Sequence, residues 1–350
     1  MSPAASHVSA RARWRRGLLV LGAVALLLSG SFWIHPRADG LALDVQPVPL
    51  NPSDPGQTET GPLRFRGGLW LRSADPRFGG FSDLRVTPDG SQLLAVSDCG
   101  RGFVATLVHD SGGRLTDLRS PRLVDLVGSD GGVLQSRSDR DAEGLAFDGD
   151  DGLLVGFEVR PRVWRYARSP PFAGPARPWP APRVDEACRG NRSLETLVDL
   201  GGGRLFMACE AASARQDSVV AWVGAGETWA RRSYPLRQDG LGGGFTPTAA
   251  ARLPGGDVLV LERRFPPLDV RLMRLSKANL EETGPFEPRE IARLAAPLSV
   301  DNFEGLGVRQ DSSGTTLLYL LSDDNGCSKQ AGVIPPRFQR TLLLLFELTD

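Results

Sequence analysis

The stretch Glu143–Glu158, EGLAFDGDDGLLVGFE, reads as a β-hairpin. An apolar run, a turn rich in Gly and Asp, and a second apolar run are the pattern of two short antiparallel strands. The same plan recurs in DLRVTPDGSQLLAVSD (Asp83–Asp98), ETLVDLGGGRLFMACE (Glu195–Glu210), TAAARLPGGDVLVLE (Thr248–Glu262) and EGLGVRQDSSGTTLLYLLSD (Glu304–Asp323). The units follow one another at roughly 50–60 residues, longer than the commonest propeller repeat. Further strand-like pieces lie between them: Phe103–Asp110, Arg162–Arg168, Ser218–Gly224 and Val270–Ser276. Each unit therefore holds about four strands. Such a unit cannot bury both faces alone, and radial stacking solves the problem. The expectation is an all-β protein, a β-propeller with five visible repeat units in five or six blades. The last strand, Leu342–Leu348 (LLLLFEL), is placed to close the ring against Gly68–Leu71, which removes exposed strand edges. A pair of β-sandwich domains would explain strands and turns but not the phase of the repeat.

Composition narrows the function classes. The 350 residues carry 41 Lys+Arg against 41 Asp+Glu, so the formal net charge is zero. That balance excludes a general nucleic-acid binder, which needs a basic surface. The 41 glycines and 27 prolines suit short strands and tight turns. Of the three histidines, His7 and His35 lie in the N-terminal segment, leaving His109 alone in the repeat region. No G-x-S-x-G elbow and no Walker A loop is present, so serine-hydrolase and P-loop chemistry are set aside.

The N-terminus reads as an address. Residues 11–16 are RARWRR, and Gly17–Ile34 runs without a charge. A basic flank before an apolar run marks a secretory signal or an N-terminal membrane anchor, an apolar helix in either case. The organisation expected is signal or anchor over 1–34, a Pro-rich linker over 35–61 and the propeller over 62–350. The chain is expected to be a monomer outside the cytoplasm, periplasmic or anchored in the inner membrane facing the periplasm. An oxidising compartment allows disulfides among Cys99, Cys188, Cys209 and Cys327. Four cysteines permit three pairings, and the lack of any C-x-x-C argues against structural zinc.

The repeat also carries acids. In an antiparallel hairpin the start of the first strand and the end of the second share one edge. The first positions are Asp83, Glu143, Glu195, Thr248 and Glu304, and the second are Asp98, Glu158, Glu210, Glu262 and Asp323. All but Thr248 are carboxylates. If the hairpins are the inner strands, these acids gather at one mouth of the central channel, beside Asp141, Arg263, Asn302, Asp324 and Asn325. Crowded carboxylates repel, and burial raises their pKa. Offsets include a hard cation with oxygen ligands, pairing with Arg263, Arg101 or Arg192, and protonation.

At these residues the chain resembles the phytase-like β-propeller family, known as "esterase-like activity of phytase" proteins. The matching pieces are FSDL (81–84) with LAVSD (94–98), DAEGLA (141–146), VLER (260–263), NFEGL (302–306) and LLSDDN (320–325). The resemblance implies a propeller, export in bacteria, and hydrolysis of phosphate or other esters with Ca²⁺. Cys99 after S-D, E-T-L at Glu195 and Thr248 in the fourth unit depart from the pattern. With first and last blades adjacent in a closed ring, the resemblance also implies a Cys99–Cys327 latch and a Cys188–Cys209 bridge within the third unit.

Two readings follow. In the first, Asp98, Glu143, Glu158, Glu210, Glu304, Asp323 and Asp324 hold Ca²⁺, with Asp83, Asp141 and Glu195 as further rim acids. Arg263, with Asn302 and Asn325, binds a small anionic ester, and Glu262 orients it as Arg263's catalytic partner. In the second, the propeller is a non-catalytic envelope module for binding or scaffolding, with a structural cation.

Overall fold

The computed structural model describes residues 40–184, 188, 193–210, 216–236, 244–264, 268–326 and 339–349. Five sheets are present, and each is one blade. The first three strands, β1 (Asp44–Pro47), β2 (Glu59–Thr60) and β3 (Leu63–Arg72), await the end of the chain. Blade one holds β4 (Phe81–Val86), β5 (Gln92–Ser97), β6 (Arg101–His109) and β7 (Leu115–Asp125). Blade two holds β8 (Ala142–Asp148), β9 (Gly152–Phe157), β10 (Arg162–Ala167) and β11 (Arg177–Trp179). Blade three holds β12 (Leu194–Gly201), β13 (Arg204–Cys209), β14 (Ser218–Ala225) and β15 (Thr228–Pro235). Blade four holds β16 (Thr246–Arg252), β17 (Val258–Arg264), β18 (Asp269–Leu275) and β19 (Arg289–Ala295). Blade five is built from β20 (Phe303–Gln310), β21 (Thr316–Ser322) and β22 (Thr341–Leu348), continued by β3 and β1. Two short helices, α1 (Arg137–Arg140) and α2 (Lys277–Glu281), occur among the described residues.

The ring closes as the sequence predicts. β22 lies between β21 and β3, with Leu342 opposite Trp70, Leu343 opposite Leu69 and Leu344 opposite Gly68. The number of blades is five. The hairpins are the inner pairs: β4, β8, β12, β16 and β20 touch one another around the axis. Gly144 and Gly305 permit this approach. A Cβ on Gly144 would lie 2.8 Å from the Leu197 Cβ, and one on Gly305 would lie 3.1 Å from Leu84 Cδ2.

The composition of each strand follows its radius. Strand β9 of an inner hairpin is buried along its whole length and reads as a continuous apolar run, GLLVGF. Outer strand β19 alternates, since one face meets water. The core is divided into five apolar clusters, each between consecutive blades. One, for example, packs Leu84, Phe103 and Leu118 of blade one against Tyr319 and Leu343 of blade five. Each buried Leu or Phe contributes roughly 1.5–3 kcal/mol, so the ring is held chiefly by these wedges.

The expected linker over 35–61 is corrected from Asp44 onward. β1 and β2 both pair with β3, and Leu50 and Asn51 are buried. Pro47 is tolerated because β1 is an edge strand, where a missing N–H costs no ladder bond. The N-terminal apolar segment lies outside the described residues. Among those residues, no helix is long and apolar enough to cross a membrane.

The Cys188–Cys209 disulfide is present, with the two Cα atoms 5.8 Å apart. Cys99 is buried, and its proposed partner Cys327 lies outside the described residues.

Candidate functional site

Every inner strand is bulged at the same place. The pairing skips one residue between Phe81 and Asp83, Ala142 and Gly144, Leu194 and Thr196, Pro247 and Ala249, and Phe303 and Gly305. A bulge leaves one residue unpaired and re-aims its side chain. The bulged residues are Ser82, Glu143, Glu195, Thr248 and Glu304. Just past the paired part of the second strand stand Asp98, Glu158, Glu210 and Asp323, whose N–H groups bond Gly80, Asp141, Ser193 and Asn302 carbonyls at 2.9–3.1 Å. In blade four the matching residue is Arg263, opposite Thr246.

This register corrects two expectations. Asp83 does not stand at the mouth. It occupies the position of Gly144 and Gly305 and points into the channel, fully buried. There its carboxylate pairs with Arg85 at 3.0 Å and accepts from the N–H groups of Leu84, Leu145 and Leu306. Arg85 in turn donates to the carbonyls of Leu84, Leu306, Leu197 and Ala250. Together the pair touches an inner strand of every blade. Burial raises the Asp83 pKa to about 6, against the pull of Arg85.

Glu262 likewise lies away from the mouth. It stands opposite Pro247, one residue short of the rim, and is fully buried. Its oxygens accept from Tyr234 Oη at 2.6 Å and from Arg271 Nε at 2.6 Å. Desolvation raises its pKa although Arg271 opposes the shift. A carboxylate so engaged has no line to a ligand in the channel mouth, so the catalytic role expected of it is withdrawn.

The mouth is a well of about 200 Å³ lined wholly by polar residues. The acids are Asp98, Asp141, Glu143, Glu158, Glu195, Glu210, Glu304 and Asp323, and the cations are Arg137 and Arg263. Ser82, Asn302 and Asn325 complete it. Asp324 is not part of this lining. Its Oδ1 accepts from the Gly80 N–H at 3.0 Å and ties the last blade to the first.

Charge is poorly compensated here. Arg263 spans Glu304 at 3.2 Å and Glu210 at 3.5 Å. Asn302 Nδ2 donates to Glu304 Oε1 at 2.8 Å, and the Asn325 N–H to Asp323 Oδ1 at 2.7 Å. Desolvation, with Asp141 and Glu304 nearby, raises the Asp98 pKa to about 8. Desolvation and then Asp141 bring Glu158 to about 8, and desolvation brings Asp141 to about 6. Glu143, Glu195 and Asp323 are held well above the usual carboxylate range, first by burial and then by neighbouring acids. Asp98 Oδ1 and Asp141 Oδ2 are buried without a hydrogen-bond partner.

Two trios within the well have the reach to hold a metal ion: Asp141, Glu143 and Glu158, and Glu158, Glu195 and Glu210. In each, one oxygen per residue lies within 4.8 Å of the others. Oxygens at 2.3–2.6 Å from a common centre span about that distance. The donors are all oxygen, which suits a hard cation rather than a soft one. The orphaned Asp141 Oδ2, on a residue only 4% exposed, is the atom such an ion would satisfy.

The sequence brought most of this set together: Asp98, Asp141, Glu143, Glu158, Glu195, Glu210, Arg263, Asn302, Glu304, Asp323 and Asn325 all line the well. It missed Ser82, Arg137 and, deeper in the channel, Arg85. Aligning the hairpins on Leu84, Leu145, Leu197, Ala250 and Leu306, instead of on their acids, would have placed Ser82.

A model of the family described as "Esterase-like activity of phytase", phytase-like, matches residues 76–326. The chain belongs to this family. A search of curated proteins gave no match. Among solved structures, it is similar to an endo-arabinase from Bacteroides thetaiotaomicron, at 12% identity and a TM-score of 0.45, over 78% of this chain and 95% of that one. It is also similar to a gluconolactonase from Xanthomonas campestris, at 10% identity and a TM-score of 0.42, over 89% of this chain and 92% of that one.

Proposed function

We propose that the well is a cation-assisted site for hydrolysing phosphate or other anionic esters, with Ca²⁺ as the cation. The observation that carries the proposal is the convergence of eight carboxylates on one mouth with a buried, orphaned oxygen on Asp141. Such an arrangement is costly for a fold alone, because each desolvated, unpaired acid destabilises it. Asp141, Glu143, Glu158, Glu195 and Glu210 would hold the ion, with Glu304 and Asp323 beside them. A bound divalent ion supplies positive charge and Lewis acidity where the substrate's oxyanion must lie.

The remaining roles fall to side chains of the chain itself. Arg263 pairs with Glu210 and Glu304, and neutralising those acids frees its guanidinium for the substrate anion. Asn302 and Asn325 offer amide donors at the same rim. Asp98 lies outside both trios. With a pKa near 8 and a buried free Oδ1, it is suited to accept a proton from the attacking water at that oxygen. The well is smaller than a typical ligand pocket of about 300–1,000 Å³, so only the reacting group enters it.

The proposal includes export, on the strength of the basic flank 11–16 and the apolar run Gly17–Ile34. The test is a panel of phosphomonoesters and carboxylic esters assayed with Ca²⁺ and with chelator. Turnover that chelation abolishes, with KM raised in Arg263→Ala, supports the reading. Tight Ca²⁺ binding with no turnover of any ester would make the mouth a binding or scaffold site instead.

A further inference from the structure

The two carboxylate trios are built differently. Asp141, Glu143 and Glu158 all belong to blade two. The trio of Glu158, Glu195 and Glu210 spans blades two and three, and Glu210 directly follows Cys209 of the Cys188–Cys209 disulfide. Leu194 opposite Cys209 is the last paired position of its hairpin at the mouth. One step further, the Glu210 N–H donates to the Ser193 carbonyl at 3.1 Å. The Ser193 N–H donates to Glu158 Oε1 at 3.2 Å, across the blade boundary. Glu195 is the bulged residue two positions on, with a carboxylate oxygen within 4.8 Å of one on Glu158. Cys209 precedes Glu210 directly, and Cys188 wedges into the apolar cluster between blades two and three.

We infer that the Cys188–Cys209 bond is the positioning element of the second cation site, holding Glu195 and Glu210 against Glu158. The inference rests on the cation reading above. Like-charged carboxylates push apart, and here they do so at the frayed end of a hairpin. The Ser193 main chain holds this end through its bonds to the Glu210 N–H and the Glu158 carboxylate, and the covalent tie keeps them from opening. The bond is buried, Cys188 being 1% and Cys209 0% exposed, so it acts as a fixed brace and not as a surface switch. Glu158 is the residue that the blade-two trio shares with the braced one.

Calcium titration calorimetry on the purified full-length protein tests this. The wild type should show two classes of site. Cys188→Ala, which keeps the Cys209 side chain in the core, should weaken one class at least tenfold and leave the other within twofold. Glu210→Gln should remove the same class, which identifies it. A wild type that binds no Ca²⁺ sinks the cation reading itself, before the brace is examined. Two unchanged classes in Cys188→Ala, confirmed in Cys188→Ala/Cys209→Ala, would overturn the brace alone. So would a Cys188→Ala protein found unfolded by circular dichroism at working temperature, since the bond would then serve the whole fold.

Discussion

Two clusters of charge lie on the same axis of this propeller, and they are opposites. Deep in the channel, Asp83 and Arg85 are buried, yet their polar atoms meet an inner strand of every blade. At the mouth, eight carboxylates face two arginines, and two buried oxygens have no partner. The first cluster is complete and serves the fold. The second is incomplete without something from outside, which is the condition expected of a functional site. Removing a charge should therefore harm the protein at the first and relieve it at the second.

The largest effect is expected deep in the channel. Arg85→Met leaves Asp83 buried without its partner and should cost about 3–5 kcal/mol, read as a lower midpoint in urea unfolding. A loss below 1 kcal/mol would deny the pair its place as hub. Next comes Glu262→Gln, which leaves Arg271 with a weaker partner in the core. It should cost about 1–3 kcal/mol and leave Ca²⁺ affinity unchanged by calorimetry. A change in affinity would put Glu262 back at the site.

At the mouth the sign reverses. Asp98 and Glu158, with pKa values near 8 in the folded protein against an ordinary range near 4, bind protons more tightly when folded. Their contribution is favourable below about pH 4 and is lost as pH rises toward 8, at up to about 1.4 kcal/mol per pH unit for each group. Without divalent cations the melting temperature should fall between pH 5 and pH 8. Added Ca²⁺ should restore it most at pH 8. A melting temperature that rises across this range without cations would contradict the account. The smallest effect is Glu158→Gln, which should stabilise the cation-free protein at pH 8 by about 1–2 kcal/mol while abolishing the gain from Ca²⁺.

The contrast also shows what the sequence made legible. Strand–turn–strand periodicity marks each hairpin, because inner strands are buried on both sides, and closure by Leu342–Leu348 follows from the same logic. The bulges left no such mark. An extra residue in one strand changes no composition, yet it moves every side chain past it. Aligning acid on acid thus exchanged Ser82 for Asp83 and Glu262 for Arg263. Glu143 to Glu158 and Glu195 to Glu210 have equal lengths, and the same length from Thr248 ends on Arg263. That count was the signal for Arg263, but it gave none for Ser82, since Asp83 to Asp98 has the same length. Arg85 had none, because its partners are mainly backbone carbonyls, which every residue possesses. The strand at Asp44–Pro47 was hidden by prolines that an edge position tolerates.

The central claim is that the mouth is an acidic well completed by a cation, and proton release measures it most directly. Ca²⁺ must displace the protons held by acids with raised pKa values. Calorimetry at pH 7 in buffers of different ionisation enthalpy should show at least one proton released per protein on Ca²⁺ binding, and none in Glu158→Gln. Binding without proton release, or no binding by the wild type, would contradict the account.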